Sequence, residues 1–484
     1  MTSEALWRGI RRFGSAFAAP SLVAALIGPP AAAAGQAVPS VTFYKDVAPI
    51  LRERCQSCHA PNEMAPMSLR SYEDARPWAR AIRQKVSSRE MPPWFIDRSV
   101  GIQKYKNDSS LTDQEIQTIV SWVDGGVREG NRADAPPAPP MTKAEGWQIG
   151  TPDLIVTKKP FKMYAQGSDW WQQELVDSGL TEDRWVKAVE LRPGNRRIVH
   201  HYCSNPTSGP GGEGVPGVGA VPQDRYAREE REASIDEARK SGEGIVGART
   251  GTSSAASIGG GGFGCYLPGN GAKFFDEGTG ILMKAGSKVS FGMHYSAVGE
   301  EATDASSVGI VFYPKGVVPT QVVNSGFFQK FPAFELDIPP NTRTTSDAYM
   351  MLPRPTLLRS FTPHMHMRGS ALVLEAIMPT GRVVTISGVK NYNFAWQLDY
   401  LYADDQAPLL PAGTMLHAIV IHDNTSANRH NPDPNRWVGY GQSSVEEMAG
   451  TFVSWTELSP EQYRERASAR RAIERSMDTQ QGRQ

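Results

Sequence analysis

"PTLLRSFTPHMHM", residues 355–367, decides how the rest of the chain is read. Thr356, Leu357, Leu358 and Phe361 make a β-prone run, and the run closes on His364 and His366, with Met365 between them and Met367 after. In a strand, residues i and i+2 point to the same face. Both imidazoles would then aim at one spot, while Met365 and Met367 face the other way. Two converging imidazoles point to a metal. A pair of partly buried histidines with hydrogen-bond partners would give the same pattern, since short motifs match by chance. The rest of the sequence has to decide.

Runs of the same kind recur on either side. From Trp147 onward helical periodicity nearly vanishes, and short β-prone segments alternate with turns: "PDLIVTKK", "DRWVKAVEL", "RRIVHHYC", "SKVSFGMHYSAV", "SSVGIVFYP", "ALVLEAIMP", "RVVTISGV" and "TMLHAIVIHDN". The 46 glycines and 36 prolines fit a turn-rich body. The expected fold is mainly β, with two tandem antiparallel β-sandwiches of jelly-roll type over 147–325 and 326–460, because this body exceeds what one sandwich needs. An insert at 204–262 interrupts the first. It is rich in Gly and Pro at both ends, with a charged, helix-prone middle, and reads as a solvated excursion; a lid over a site is the sharper alternative. A charged tail follows at 461–484.

The front of the chain reads differently. "CQSCHA" supplies Cys55, Cys58 and His59 in the Cys-x-x-Cys-His pattern of c-type haem attachment. Two thiols would bond the haem and His59 would ligate its iron. A redox dithiol or half a zinc site is the alternative, but no second ligand pair follows. Helical segments surround the motif, the last opening at Thr112 with Glu115 three residues on, a capping-box spacing, and closing at Gly125. Residues 38–130 are thus expected to form a small all-α cytochrome c domain. Met91 in "SREMPPW" is the candidate sixth ligand, held by Pro92 and Pro93; core packing is its plainer role. The Pro-rich stretch 131–146 reads as a semi-rigid linker.

Arg8, Arg11 and Arg12, an apolar run from Ala16 to Ile27, and small residues from Ala31 to Ala37 follow the order of a signal peptide over 1–37. The apolar run is short for a membrane span; an uncleaved anchor is the alternative, and "RRF" hints at twin-arginine export. A periplasmic or secreted chain without a transmembrane span in its mature form is expected. Lys plus Arg equals Asp plus Glu, 51 each, which argues against a nucleic-acid binder. The remaining cysteines, Cys203 and Cys265, flank the insert, and outside the cytosol a disulfide between them is expected, against two buried free thiols.

The other histidines are His200, His201, His294, His364, His366, His417, His422 and His430. In "SFGMHYS", His294 shares its strand face with Ser290 and Gly292, a small and polar side. The order and context of these motifs over 147–457 resemble the type II copper, ascorbate-dependent monooxygenases, the peptidylglycine α-hydroxylating and dopamine β-monooxygenase family. The likeness is to bacterial forms with a cytochrome c domain in front. The resemblance implies one copper on His200, His201 and His294, which stores an electron. It implies a second, oxygen-activating copper on His364, His366 and Met448 of "SSVEEMAG". Imidazole suits copper in either oxidation state and a thioether favours Cu(I). For His200 and His201 to share a metal, their strand must bulge or end there, because adjacent residues face opposite ways; otherwise only one binds. Met448 would otherwise be a core methionine. His417, His422 and His430 are read as structural or solvated.

The implied activity is insertion of one oxygen atom from O2 into a C–H bond of a small organic substrate. The implied cofactors are two copper ions and one covalently attached haem c. Electrons would come from the haem, from ascorbate or another one-electron reductant, or through a redox partner of the haem domain. The peptide-amidating members place an Arg two residues before the His-x-His pair, and an Asn and a Tyr two and four residues after the methionine. Thr362, Gly450 and Phe452 stand there, so a carboxylate clamp is missing and peptide amidation is not expected. Three rivals remain: an electron-transfer or metal-sensing protein that uses the same ligands without oxygen insertion, a blue-copper site on the Cys203 thiolate, and a purely structural sandwich protein that binds no stoichiometric copper.

Overall fold

The computed structural model describes residues 41–61, 65, 67–135, 146–167, 169–207, 262–267, 271–441 and 443–481. The expected signal peptide, most of the 204–262 insert and the centre of the Pro-rich linker lie outside the described residues.

The chain is mainly β. All nine β-prone runs read from the sequence form strands, and Thr356–His364 is one of them. It lies in a ten-stranded sheet whose main path runs Leu154–Thr157, Ser307–Phe312, Arg184–Arg192, Thr279–Met283, Gln321–Gln329, Gly450–Glu457, Thr356–His364, Tyr400–Leu401. Its pairings are antiparallel except one: Gln321 and Val322 run parallel to Thr279 and Gly280. That junction stitches the two halves of the body into one sheet. The division expected between 325 and 326 falls inside the Gln321–Gln329 strand, so a β-ladder crosses it.

A four-stranded sheet faces each half. Trp170–Asp177, Lys288–Tyr295, Val199–Ser204 and Gly264–Tyr266 form the first; Arg343–Leu352, Thr414–Asp423, Gly369–Ile377 and Val383–Lys390 form the second. Between the first and the long sheet lie Val186, Val189, Ile281 and Ile310 against Tyr202, Phe291 and Met293. Between the second and the long sheet lie Leu358, Phe361 and Trp455 against Leu372, Leu374, Leu416 and Val420. Burying each such side chain contributes on the order of 1.5–3 kcal/mol. Period-2 burial makes these faces. In Arg343–Leu352, for example, Ser346, Ala348, Met350 and Leu352 point inward and Asp347, Tyr349 and Met351 outward.

Ahead of the β body, a short π-helical turn Phe43–Val47 leads into the helix Ala48–Arg54, followed by Tyr72–Ala75, Ala79–Ser87 and Asp113–Asp124. These helices close on Phe43, Leu51, Ile82, Ile119 and Trp122. Thr112 and Glu115 make the reciprocal capping box. The charged tail is also structured: Pro460–Gln481 is a helix. Ser459 and Gln462 cap each other's backbone N–H, a signal present in "SPEQ" that the reading as a tail passed over. No helix among the described residues is long and apolar enough to cross a membrane.

Candidate metal centres

His200 and His201 are neighbours, so a regular strand would separate them. The strand does not run regularly: its register against Lys288–Tyr295 shifts between Val199 and His201, a β-bulge. Both rings therefore turn to one side, where the opposite strand presents His294. The Nδ1 atoms of His200 and His201 lie 2.9 Å apart, and those of His201 and His294 lie 3.4 Å apart. One ligand atom from each of the three falls within 4.8 Å of the others.

The surroundings fix which atoms converge. His294 Nε2 sits 2.9 Å from Asp169 Oδ2, so its Nδ1 is left free. The Asp169 carboxylate also accepts the Ser444 hydroxyl at 2.6 Å and the Ser296 hydroxyl at 3.2 Å. Burial alone would raise Asp169, but its hydrogen bond to His294, the His294 charge and the two hydroxyls bring it down to about 2. Trp171 stacks on the His294 ring at 4.1 Å. Burial, and then repulsion from His294, push His200 down to about 4. His201 is also held well below the usual range, through burial and then His294, His200, His364 and His366. Burial keeps His200 and His201 neutral, with lone pairs a cation can use, and a carboxylate behind a histidine is a usual support at such a site.

Cys203 lies two residues past His201, directly opposite Cys265 in the next strand, and the two form a disulfide. The Cys203 thiolate required for a blue-copper site is therefore not available.

His364 ends its strand and His366 lies just beyond it. Their ring centroids are 5.4 Å apart at 87°, and both are buried. Met365 points the other way, into the core of the second half. His364 Nδ1 pairs with Gln397 Oε1 at 2.9 Å, and His366 Nδ1 with the Glu446 carbonyl at 3.1 Å. Both oxygens accept, so each Nδ1 carries the hydrogen and each Nε2 carries the lone pair that could ligate. Burial, then the neighbouring His366, lower His364 to about 3.

The segment carrying Met448 runs alongside. Gly450 pairs with His364, and a Cβ at Gly450 would collide with the Phe328 carbonyl. The fully buried Glu447 carboxylate accepts the His366 N–H at 2.8 Å and the Arg368 N–H at 2.6 Å. His422 Nε2 reaches the Met448 carbonyl at 3.1 Å. These contacts place the main chain of Met448 beside the pair; they do not place its sulphur. His422, read as structural, holds this segment. His417 faces away, between Asp347 and Glu375.

Phenylalanines join the two sets. Phe394 lies 5.2 Å from the His200 ring and 5.5 Å from the His366 ring, touching both. Phe327 and Phe452, 4.5 Å apart, meet the His364 ring edge-on at 5.4 and 5.5 Å. Thr362, in the place of the clamp arginine, donates to Asp399 at 2.9 Å, and Lys273 meets the other oxygen of that carboxylate at 3.2 Å. The sequence carried little sign of Asp169, Trp171, Gln397 or Phe394. Each is an ordinary loop or edge residue until the fold brings it to a histidine.

In the front helices, Cys58 N–H and His59 N–H both bond the Cys55 carbonyl, so one helical turn sets the side chains of Cys55 and Cys58, which are not joined in a disulfide, on one side. Burial, then Cys58, raise Cys55 to about 12. His59 Nδ1 lies 3.3 Å from the Met67 carbonyl, which leaves Nε2 open. This donor set fits a covalently attached haem. Met91 is half-buried beyond the helix Ala79–Ser87. The contacts described here do not bring it to His59.

No family model matches the chain, and no curated protein matches it. Among solved structures it is similar to "Structure of infectious bursal disease virus Gx strain", at 10% identity over 67% of this chain and 76% of that one. The TM-score is 0.15, and the likeness carries no argument.

Proposed function

We propose that this chain is an exported, copper-dependent monooxygenase of the type II, ascorbate-dependent kind, inserting one oxygen atom from O2 into a C–H bond of an organic substrate. On this reading the β body is a tandem pair of jelly-roll sandwiches, and the front helices are a cytochrome c domain that feeds electrons to it. The supporting observation is the meeting of imidazoles from three separate segments. His200, His201 and His294 converge through their Nδ1 atoms, His364 and His366 offer Nε2, and Phe394 touches both sets.

His200, His201 and His294 would hold one copper, and His364, His366 and Met448 the other; bound there, copper supplies one-electron redox steps and the reduction of O2. The chain's own groups do the rest. Asp169 orients His294 and Gln397 orients His364, each fixing which nitrogen is free. Phe327 and Phe452 give the His364 side an apolar wall, which excludes water and favours an apolar substrate. The Thr362–Asp399–Lys273 group offers no spare cation to a substrate carboxylate. Lacking a cysteine thiolate, both centres are held by imidazole, with a thioether expected at the second.

The test is turnover of apolar organic candidates under isotopically labelled dioxygen with a one-electron reductant. One labelled oxygen atom in the product is expected, and His364→Ala should abolish it while leaving the haem spectrum unchanged. Oxygen consumption with no oxygenated product would favour the electron-transfer rival.

A further inference from the structure

Residues 94–107 form a strap between the front helices and the β body. Backbone bonds seat it: Asp97 N–H donates to the Gly388 carbonyl at 2.7 Å, Ile102 N–H to Ile386 at 2.8 Å, and Lys106 N–H to Leu401 at 2.7 Å. Gly101 has φ +61°, and a Cβ there would run into the Ile386 carbonyl. The strap's acceptors and donors lie in the second half of the body, the half that carries His364 and His366. Lys106 additionally reaches Asp276 of the first half.

The head of the strap is aromatic. Trp94 lines a cavity of about 410 Å³ together with Arg54, the residue before Cys55, and Leu111. Its ring meets Tyr400 edge-on at 4.9 Å, and Tyr400 stacks on Phe361 at 5.1 Å. Tyr400 and Phe361 are buried and pair in register. Phe361 stands three residues before His364 in the same strand. A second contact ends on the same half: Glu90, next to Met91, meets Arg429 at 3.7 Å, and Asn428 bonds the Met367 carbonyl at 3.1 Å.

We propose that electrons pass from the haem module through Trp94, Tyr400 and Phe361 and enter the body at the His364/His366 centre, not at the His200/His201/His294 centre. This rests on the haem and two-copper reading above. Each transfer moves one electron: ferrous haem becomes ferric, cupric copper becomes cuprous, and no bond or proton moves. An external one-electron donor resets the haem. Tunnelling falls steeply with the gap between packed groups; Trp94, Tyr400 and Phe361 touch in turn, and Phe361 lies on the strand that ends at His364.

The experiment uses the full chain with haem and cupric copper in place, without O2 or substrate. A photochemical pulse reduces the haem, and its absorbance reports reoxidation. A fast reoxidation phase is expected. It persists in His294→Ala, disappears in His364→Ala, and slows by an order of magnitude or more in Trp94→Leu. Should Trp94→Leu loosen the strap, Phe361→Leu breaks the relay at its far end and should slow the phase equally. A wild-type rate in Phe361→Leu, or loss of the phase in His294→Ala with retention in His364→Ala, overturns the proposal alone. A chain that takes up no haem or no copper overturns the reading and the proposal together.

Discussion

The two histidine sets differ in how finished they are. The first is assembled: a bulge turns His200 and His201 together, a carboxylate backs His294, Trp171 covers its ring, and a disulfide ties the strand two residues past His201. The second is held more lightly. Its imidazoles lean on a neutral amide and a backbone carbonyl, and its free side is walled by phenylalanines. A centre that only passes electrons gains from a rigid, pre-formed ligand set. One that also receives a small molecule needs an apolar approach and a neutral, adjustable support. The proposed division of labour, with an electron-storing copper at the first set and an oxygen-activating one at the second, comes from the family resemblance, and that contrast supports it.

The sharpest way to break the contrast is to remove one member from each side. His364→Ala should lose one copper and all turnover; His201→Ala should lose the other copper, with the His364 centre still loaded. Metal analysis after gel filtration checks both, and loss of both coppers from either variant would show one shared centre. Next comes the support. Asp169→Asn keeps the shape but removes the charge behind His294, and should weaken copper at the first centre by about 10–100-fold. Competition with a calibrated chelator measures it; an unchanged affinity would make the carboxylate a bystander.

The covalent tie comes next. Replacing Cys203 and Cys265 by Ser should lower stability by roughly 4 kcal/mol in the chain-entropy model, read as a lower urea midpoint. No change would remove the disulfide from the reasons the first set is rigid. The smallest effect is on acid stability of the metal-free protein. His200 is held near 4 and His364 near 3, against about 6.5 in the unfolded chain. Above pH 6.5 both states are neutral there. As pH falls from 6.5 toward 4 the unfolded chain takes up protons that the folded one refuses, so stability drops. Urea unfolding at stepped pH measures it, and a flat profile across that window would contradict the burial of the two sets.

Much of this was legible in the sequence. Nine β runs could be read from their alternation, and the convergence of His364 with His366 follows from period-2 geometry, although the strand stops at His364. The bulge at His200 could be stated as a requirement of a shared metal. What could not be read has a common cause. Trp170–Asp177, Gln321–Gln329, Arg343–Leu352 and Gly450–Glu457 are strands whose inward positions mix apolar residues such as Val323, Met350 and Trp455 with polar or small ones such as Gln321, Ser346 and Thr451, so their apolar alternation is weak. Asp169, Gln397 and Phe394 act through long-range contacts that no local pattern announces. The junction of the two halves also escaped, because one parallel pairing of two residues makes it.

Copper and iron quantitation with copper EPR on the purified full chain tests the two-centre claim most directly. Two coppers and one iron per chain are expected, with two distinguishable cupric signals, of which His364→Ala removes one. A single copper, or an unaltered spectrum in that variant, would contradict it.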